Sequence, residues 1–164
     1  MHQQPDSPAF DIVLIAHVAF VVAGLATLVA SAVTASRLRT VLRGGGAVGE
    51  ALARYFRPGV NWAGRSIYGI PVFGFLLLAL SHGAYSLGDG WVLGGLLTFV
   101  VMVLVAEGVL WPAERRLQVS VVALRQGGTP VGEEVRRDAR AMMLSATTGL
   151  VLLVLGAVLM VVQP

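Results

Sequence analysis

The chain has 164 residues, of which 56% are hydrophobic and only 13% are charged, and its mean hydropathy is +0.79. A soluble domain carries about a quarter charged residues, so this composition excludes an ordinary water-soluble domain. All 12 basic residues are arginine, and there is no cysteine. The lack of cysteine excludes disulfides, thiolate zinc sites, cysteine nucleophiles and iron–sulfur ligation by this chain.

Four long apolar runs dominate the sequence, and the predicted spans cover residues 12–36, 66–88, 90–113 and 141–162. Each run reaches the length of about 20 residues that a helix needs to cross a bilayer. The runs do not alternate as the strands of a membrane barrel do. The short turn at Gly88-Asp89-Gly90 makes spans two and three antiparallel neighbours. The sequence therefore predicts an all-α, integral membrane, antiparallel four-helix bundle that forms one domain over residues 1–164.

The arginines predict how the chain is threaded. Six lie between the first and second runs, six lie between the third and fourth, and none lies elsewhere. By the positive-inside rule both arginine-rich loops are cytoplasmic and both termini are outside, in a bacterial-type cytoplasmic membrane. No cleaved signal peptide is expected, because no basic residue precedes the first run. We expect these arginines to meet anionic lipid of the inner leaflet. No aromatic platform or recognition helix accompanies them, so nucleic acid is not an expected partner.

The loops and helix faces carry further patterns. Residues 47–57 have the periodicity of an interfacial amphipathic helix. Thr129 and Pro130 suit the start of the fourth helix, and Glu133 and Arg137 suit an i, i+4 ion pair. Small residues favour close helix contacts in lipid. They predict one seam on the first span (Ala16, Ala19, Ala23, Ala26, Ala30) and another on the fourth (Ser145, Thr148, Gly149, Gly156).

Two histidines are the main candidates for chemistry in the membrane. His17 stands six residues after Asp11, and His82 stands seven before Asp89; these separations are roughly 9 and 10 Å at helical rise. We therefore expect both imidazoles at a similar depth in the outer half of the bilayer, as paired haem ligation or a two-histidine metal site requires. The alternative is a structural hydrogen bond from each histidine to a neighbouring helix. The methionines form no cluster, so haem is favoured over copper.

Glu107 is the one carboxyl group within the predicted spans, near the inner end of span three. We expect it to be paired at the level of the interface, with Arg65, Arg37 or Arg39 as candidate partners. The alternative, a proton relay, requires further carboxylates deeper in the spans, and the predicted spans contain none.

The early segment Ile15-Ala16-His17-Val18 with Gly24, the arginine-rich first loop and the segment Ser81–Trp91 resemble a largely uncharacterised bacterial family. Its members are predicted four-helix integral membrane proteins, distantly similar to CopD-type copper-resistance proteins and HemJ-type haem-biosynthesis proteins. The resemblance implies haem binding at His17, which matches the first-span histidine of the HemJ-like group. That group also uses a second-span lysine, and this chain has no lysine. The resemblance therefore implies haem binding at most, without HemJ-type catalysis.

Two main hypotheses of function follow. In the first, the chain is a non-catalytic accessory, assembly or scaffold subunit of a membrane complex, which binds other membrane proteins or copies of itself. In the second, it is a haem- or metal-binding membrane redox protein that uses His17 and His82. A small channel or transporter is a third reading, and it rests on topology alone.

Overall fold

The computed structural model describes residues 7–128 and 132–162, and the regular elements within those ranges are all helical. In chain order the elements are α1 (Pro8–Gly44), α2 (Glu50–Tyr55), α3 (Trp62–Arg65), a 3₁₀ turn (Ser66–Tyr68), α4 (Gly69–Leu80), α5 (Gly90–Val105), a π-helical segment (Ala106–Leu110), α6 (Trp111–Arg125) and α7 (Glu133–Val162). The all-α prediction is confirmed for the described residues. Thr129 and Pro130, the predicted start of the fourth helix, lie outside them.

Within the described ranges, four helical stretches are long and apolar enough to cross a membrane: Pro8–Gly44, Trp62–Leu80, Gly90–Arg125 and Glu133–Val162. Their outward surfaces are apolar as well. Ile15, Leu104 and Val151 are 70%, 66% and 61% exposed. Soluble proteins rarely present continuous apolar surface on this scale, so the exposed faces agree with helices that are solvated by lipid.

The second long helix ends earlier than the sequence predicts. The predicted span runs to residue 88, whereas α4 ends at Leu80. The Ser81 hydroxyl donates to the Leu78 carbonyl oxygen at 2.8 Å and accepts from the Tyr85 N–H at 3.3 Å. The next two residues, His82 and Gly83, have φ of 49° and 86°. Two successive left-handed residues cannot continue a right-handed helix, so the segment after Leu80 is a compact turn.

The third long helix continues beyond the predicted residue 113, and a π-helical segment interrupts it. Pro112 lies in the first turn of α6, directly after the π-helical residues Ala106–Leu110. Proline has no N–H, and its ring clashes with the carbonyl oxygen four residues earlier, here that of Gly108. The wider π turn removes this clash and lets the helix continue to Arg125.

The chain forms two compact units. The described residues of the first unit are 7–27, 61–101 and 151–162. Its helices meet at glycines: a Cβ on Gly24 would lie 3.2 Å from Leu153 and 3.3 Å from Ile67. The Phe20 ring covers Gly69 and stacks on Phe73, with ring centroids 5.1 Å apart. These contacts pack the first half of α1 against α4 and the end of α7.

The second unit contains residues 28–60 and 102–150 as far as they are described. Its core consists of side chains with at most 1% exposure: Ala35, Leu38, Phe56, Met102, Ala113, Leu117, Val121, Ala139, Met142 and Ala146. The short helix α2 belongs to this core, because Leu52 and Phe56 are buried and the Tyr55 hydroxyl hydrogen-bonds that of Ser31 at 2.8 Å. On the apolar side of the predicted interfacial helix, Leu52 is therefore covered by protein, whereas Ala51 is exposed.

One of the two predicted small-residue seams is confirmed at three of its four residues. On α7, Ser145, Gly149 and Gly156 are buried, although Thr148 is exposed. On α1 the alanine seam is wrong: Ala19, Ala26 and Ala30 are exposed, and none of its five alanines is buried. The buried face of α1 lies beside it and carries His17, Gly24, Leu28, Ser31, Ala35 and Leu38. That face buries the polar side chains of His17 and Ser31, whose exposure to lipid is costly.

Candidate functional site

His17 lies on the buried face of α1 and is 6% exposed. A Cβ on Gly74 of α4 would lie 3.4 Å from its Cε1 and 3.7 Å from its Nδ1, so the absence of a side chain at Gly74 makes room for the ring. The ring also interacts with the backbone of Ile70. Its Nδ1 is fully buried and has no hydrogen-bond partner. A buried nitrogen without a partner is rare in proteins and marks His17 as a candidate site.

His82 occupies a different environment. It follows the end of α4, has a left-handed backbone and is exposed. His17 lies beside Gly74 of α4. His82 lies eight residues after Gly74, and at helical rise eight residues correspond to about 12 Å along the helix axis. Paired ligation by the two histidines remains a prediction, and this placement does not favour it. Among the described residues, no group of three or more His, Asp or Glu side chains is arranged to hold a metal ion.

Glu107 lies in the π-helical segment and is exposed on the surface of the helix. Segments of this kind recur at functional positions, but here Pro112 accounts for the wider turn. Glu107 has an interaction partner, in keeping with the expectation of a paired carboxylate. Which arginine pairs with it remains a prediction.

Polar contacts of the second unit, which we name the polar cluster, were not predicted from the sequence. Arg116 donates from Nε and Nη2 to the two carboxylate oxygens of Asp138, both at 2.9 Å. The Gln118 side chain forms two hydrogen bonds with the backbone of Gly59. Its Nε2 donates to the Gly59 carbonyl oxygen at 3.2 Å, and its Oε1 accepts from the Gly59 N–H at 3.4 Å. Arg125 pairs with Glu50 at 2.9 Å.

The polar cluster is partly buried, as Gln118 and Asp138 are 7% and 8% exposed. Both Asp138 oxygens accept bonds from one guanidinium, an arrangement that fixes direction as well as distance. Asp138 is therefore engaged as a structural acceptor. No local pattern indicated these contacts, because the partners are 22, 59 and 75 residues apart in the chain.

The predicted ion pair between Glu133 and Arg137 is replaced by a neighbouring one. Glu133 contacts Arg136 at 3.3 Å, one residue earlier. Spacings of three and four residues both bring side chains together on a helix. Both partners are at least half exposed, so this pair contributes little to stability.

The two hydrogen bonds between Gln118 and Gly59 give a testable prediction. Gln118→Ala removes two hydrogen bonds, and we expect the free energy of unfolding to fall by about 1–2 kcal/mol. Thermal unfolding of the purified protein in detergent measures this effect. The matched control is Gln126→Ala, since Gln126 is exposed. If the two variants unfold at the same temperature, the hydrogen bonds between Gln118 and Gly59 do not contribute to stability.

The chain matches no family model, no curated protein and no solved structure.

Proposed function

We propose that the chain is a multi-pass protein of a bacterial-type cytoplasmic membrane, with its four long helices in an antiparallel bundle. Both termini are outside, and both arginine-rich loops are in the cytoplasm. The support is the charge distribution, with 12 arginines in two of the connecting segments and none in the third or at either terminus. The apolar exposed faces of the long helices support the membrane placement.

The absence of cysteine from the sequence gives a direct test of this threading. Single cysteines are introduced by Leu87→Cys, in the turn before α5, and by Gln126→Cys, after α6. Both positions are exposed. We expect a membrane-impermeant maleimide to label residue 87 but not residue 126 in spheroplasts, and to label both after lysis. Labelling of residue 126 alone in intact spheroplasts would show that the orientation is the opposite of the one proposed.

We infer that the chain acts as a non-catalytic accessory, assembly or scaffold subunit. The observation that carries this inference is the polar cluster, which ties α6 to α7, to Gly59 and to Glu50 of α2. A surface fixed in this way suits docking of another protein, because less conformational entropy is lost on binding. The expected partners are other membrane proteins or a second copy of the chain.

Purification from native membranes tests this role. We expect partners to co-purify at a fixed stoichiometry. We expect Val119→Glu to remove these partners without changing the unfolding temperature. Val119 is suitable because it is 72% exposed and lies six residues beyond predicted span three. The control is Leu97→Ile, a conservative change at a 56% exposed position within that span. A monodisperse monomer without partners contradicts the accessory role.

Haem binding is the second candidate function, and the buried Nδ1 of His17 without a partner favours it. The resemblance to HemJ-type proteins points to the same residue. The test is the absorption spectrum of oxidised and reduced protein after expression with sufficient haem. A Soret band that is lost in His17→Ala and kept in His82→Ala supports ligation by His17 alone. Loss of the band in both single variants supports paired ligation, and the absence of a band from the wild type rejects this function.

A further inference from the structure

The line of contact between α1 and α7 in the second unit, which we name the groove, is bordered by arginines. Two contacts place the helices side by side: a Cβ on Gly149 would lie 3.2 Å from Leu28, and Arg39 Nη1 donates to Met143 Sδ at 3.3 Å. As the residue number rises from 28 to 39 on α1, the contacted residue on α7 falls from 149 to 143. The two helix segments therefore run in opposite directions along this groove.

Helical spacing brings more arginines to the same groove. Arg43 lies one turn after Arg39, while Arg140 and Arg136 lie three and seven residues before Met143. Residues at these spacings share one face of a helix. Because Arg39 contacts Met143, both faces border the same groove. We name Arg39, Arg43 and Arg140 the groove arginines.

The groove arginines are not neutralised by the protein. Among the described residues no carboxylate forms an ion pair with any of the three, since Asp138 is held by Arg116 and Glu133 by Arg136. Arg39 is half-buried, and its bond to Met143 is to a thioether, a weak acceptor. A guanidinium has five N–H donors, so most of those on Arg39 remain available to an anion.

The position of the groove along the membrane normal indicates which anion it binds. Arg39 lies three residues beyond predicted span one, and Arg140 lies one residue before predicted span four, that is about 5 Å and 2 Å outside the apolar runs at helical rise. Lipid phosphates occupy this level of a bilayer. Guanidinium groups bind phosphate through paired hydrogen bonds, and basic sites between helices on the cytoplasmic side suit anionic headgroups.

We propose that the groove arginines bind the phosphate of an anionic phospholipid from the leaflet on their side of the membrane. The acyl chains of the lipid lie along the exposed apolar surface of α1 and α7, on which Val29, Val33 and Leu144 are at least 43% exposed. This proposal rests on the membrane placement proposed above and is independent of the accessory role.

Native mass spectrometry of the delipidated protein tests the proposal, with dioleoyl phosphatidylglycerol and dioleoyl phosphatidylcholine as probes. We expect the first phosphatidylglycerol to bind at least ten-fold more tightly than phosphatidylcholine. In the double variant Arg39→Gln/Arg140→Gln this preference falls to two-fold or less. The matched control is Arg37→Gln: Arg37 is exposed and lies two residues before Arg39, roughly 160° around the helix from it. We expect the control to keep the preference.

Other outcomes overturn the proposal. Equal binding of the two lipids by the wild type rejects an anionic site, and an equal loss in Arg37→Gln shows that only total charge matters. Inorganic phosphate forms a third arm: if it binds as tightly as phosphatidylglycerol, the site serves a free anion and not a lipid. If the double variant does not fold, Arg43→Gln/Arg140→Gln replaces it and leaves the contact with Met143 intact. Failure of the membrane placement would be seen separately, in the maleimide labelling.

Discussion

Phe56→Ala is expected to lower the free energy of unfolding by about 3–5 kcal/mol, the cost of emptying a fully buried aromatic site. The Phe56 side chain has no exposed surface and makes an edge-to-face contact with Tyr55, with ring centroids 5.1 Å apart. Its removal leaves a cavity in the core of the second unit and detaches α2. The measurement is equilibrium unfolding of the purified protein in detergent.

Trypsin cleavage provides a second, local measurement of the same change. Arg54 lies two residues before Phe56 and is exposed, and cleavage after it requires the segment to open. Trypsin does not cleave after Arg57, because Pro58 follows it. We expect faster cleavage after Arg54 in Phe56→Ala. The matched control is Phe75→Ala, since Phe75 on α4 is 49% exposed. An equal loss of stability in the two variants would contradict the assignment of Phe56 to the core.

Gly69→Ala is expected to destabilise the first unit by about 1–3 kcal/mol, as overpacking does. The new Cβ would clash with Cδ1 and Cγ of Phe20, and the stack with Phe73 restricts movement of the ring. Alanine is the better helix former by about 1 kcal/mol. A net loss of stability therefore has to arise from packing.

A double-mutant cycle isolates this contact. In a Phe20→Leu background the smaller side chain leaves space, and we expect Gly69→Ala to cost at least 1 kcal/mol less than in the wild type. Gly90→Ala is the matched control, because a Cβ on Gly90 meets no atom within 4 Å. Equal costs of Gly69→Ala in the two backgrounds would show that Phe20 does not cause the effect.

The helices were predictable because their signal is local and long. A charge-free run such as residues 12–36 has few alternatives to a spanning helix. Their ends were less predictable, since the stop after Leu80 depends on the hydrogen bonds of Ser81 and on a left-handed His82. Histidine carries only a weak local preference for that conformation, so the sequence there still resembled a continuing span.

The faces of the helices and the candidate sites were only partly predictable. The regular alanines of α1 suggested a seam, but the helix buries the neighbouring face that includes His17 and Ser31. The sequence marked His17 as a polar residue within a span, but its position beside Gly74 is visible only in the fold. The polar cluster had no local signal, because each of its contacts joins distant parts of the chain.

Those distant contacts also bear on how the protein is made. Phe56 and Leu38 are synthesised early, but the core that covers them includes Leu117 and Met142. The hydrogen bonds to Gly59 cannot form before Gln118 is synthesised, and the partner of Arg116 is Asp138 on α7. Contacts of such long sequence separation form late. During biosynthesis the second unit therefore stays open until α7 emerges from the ribosome, and a chain truncated before residue 133 has an incomplete core.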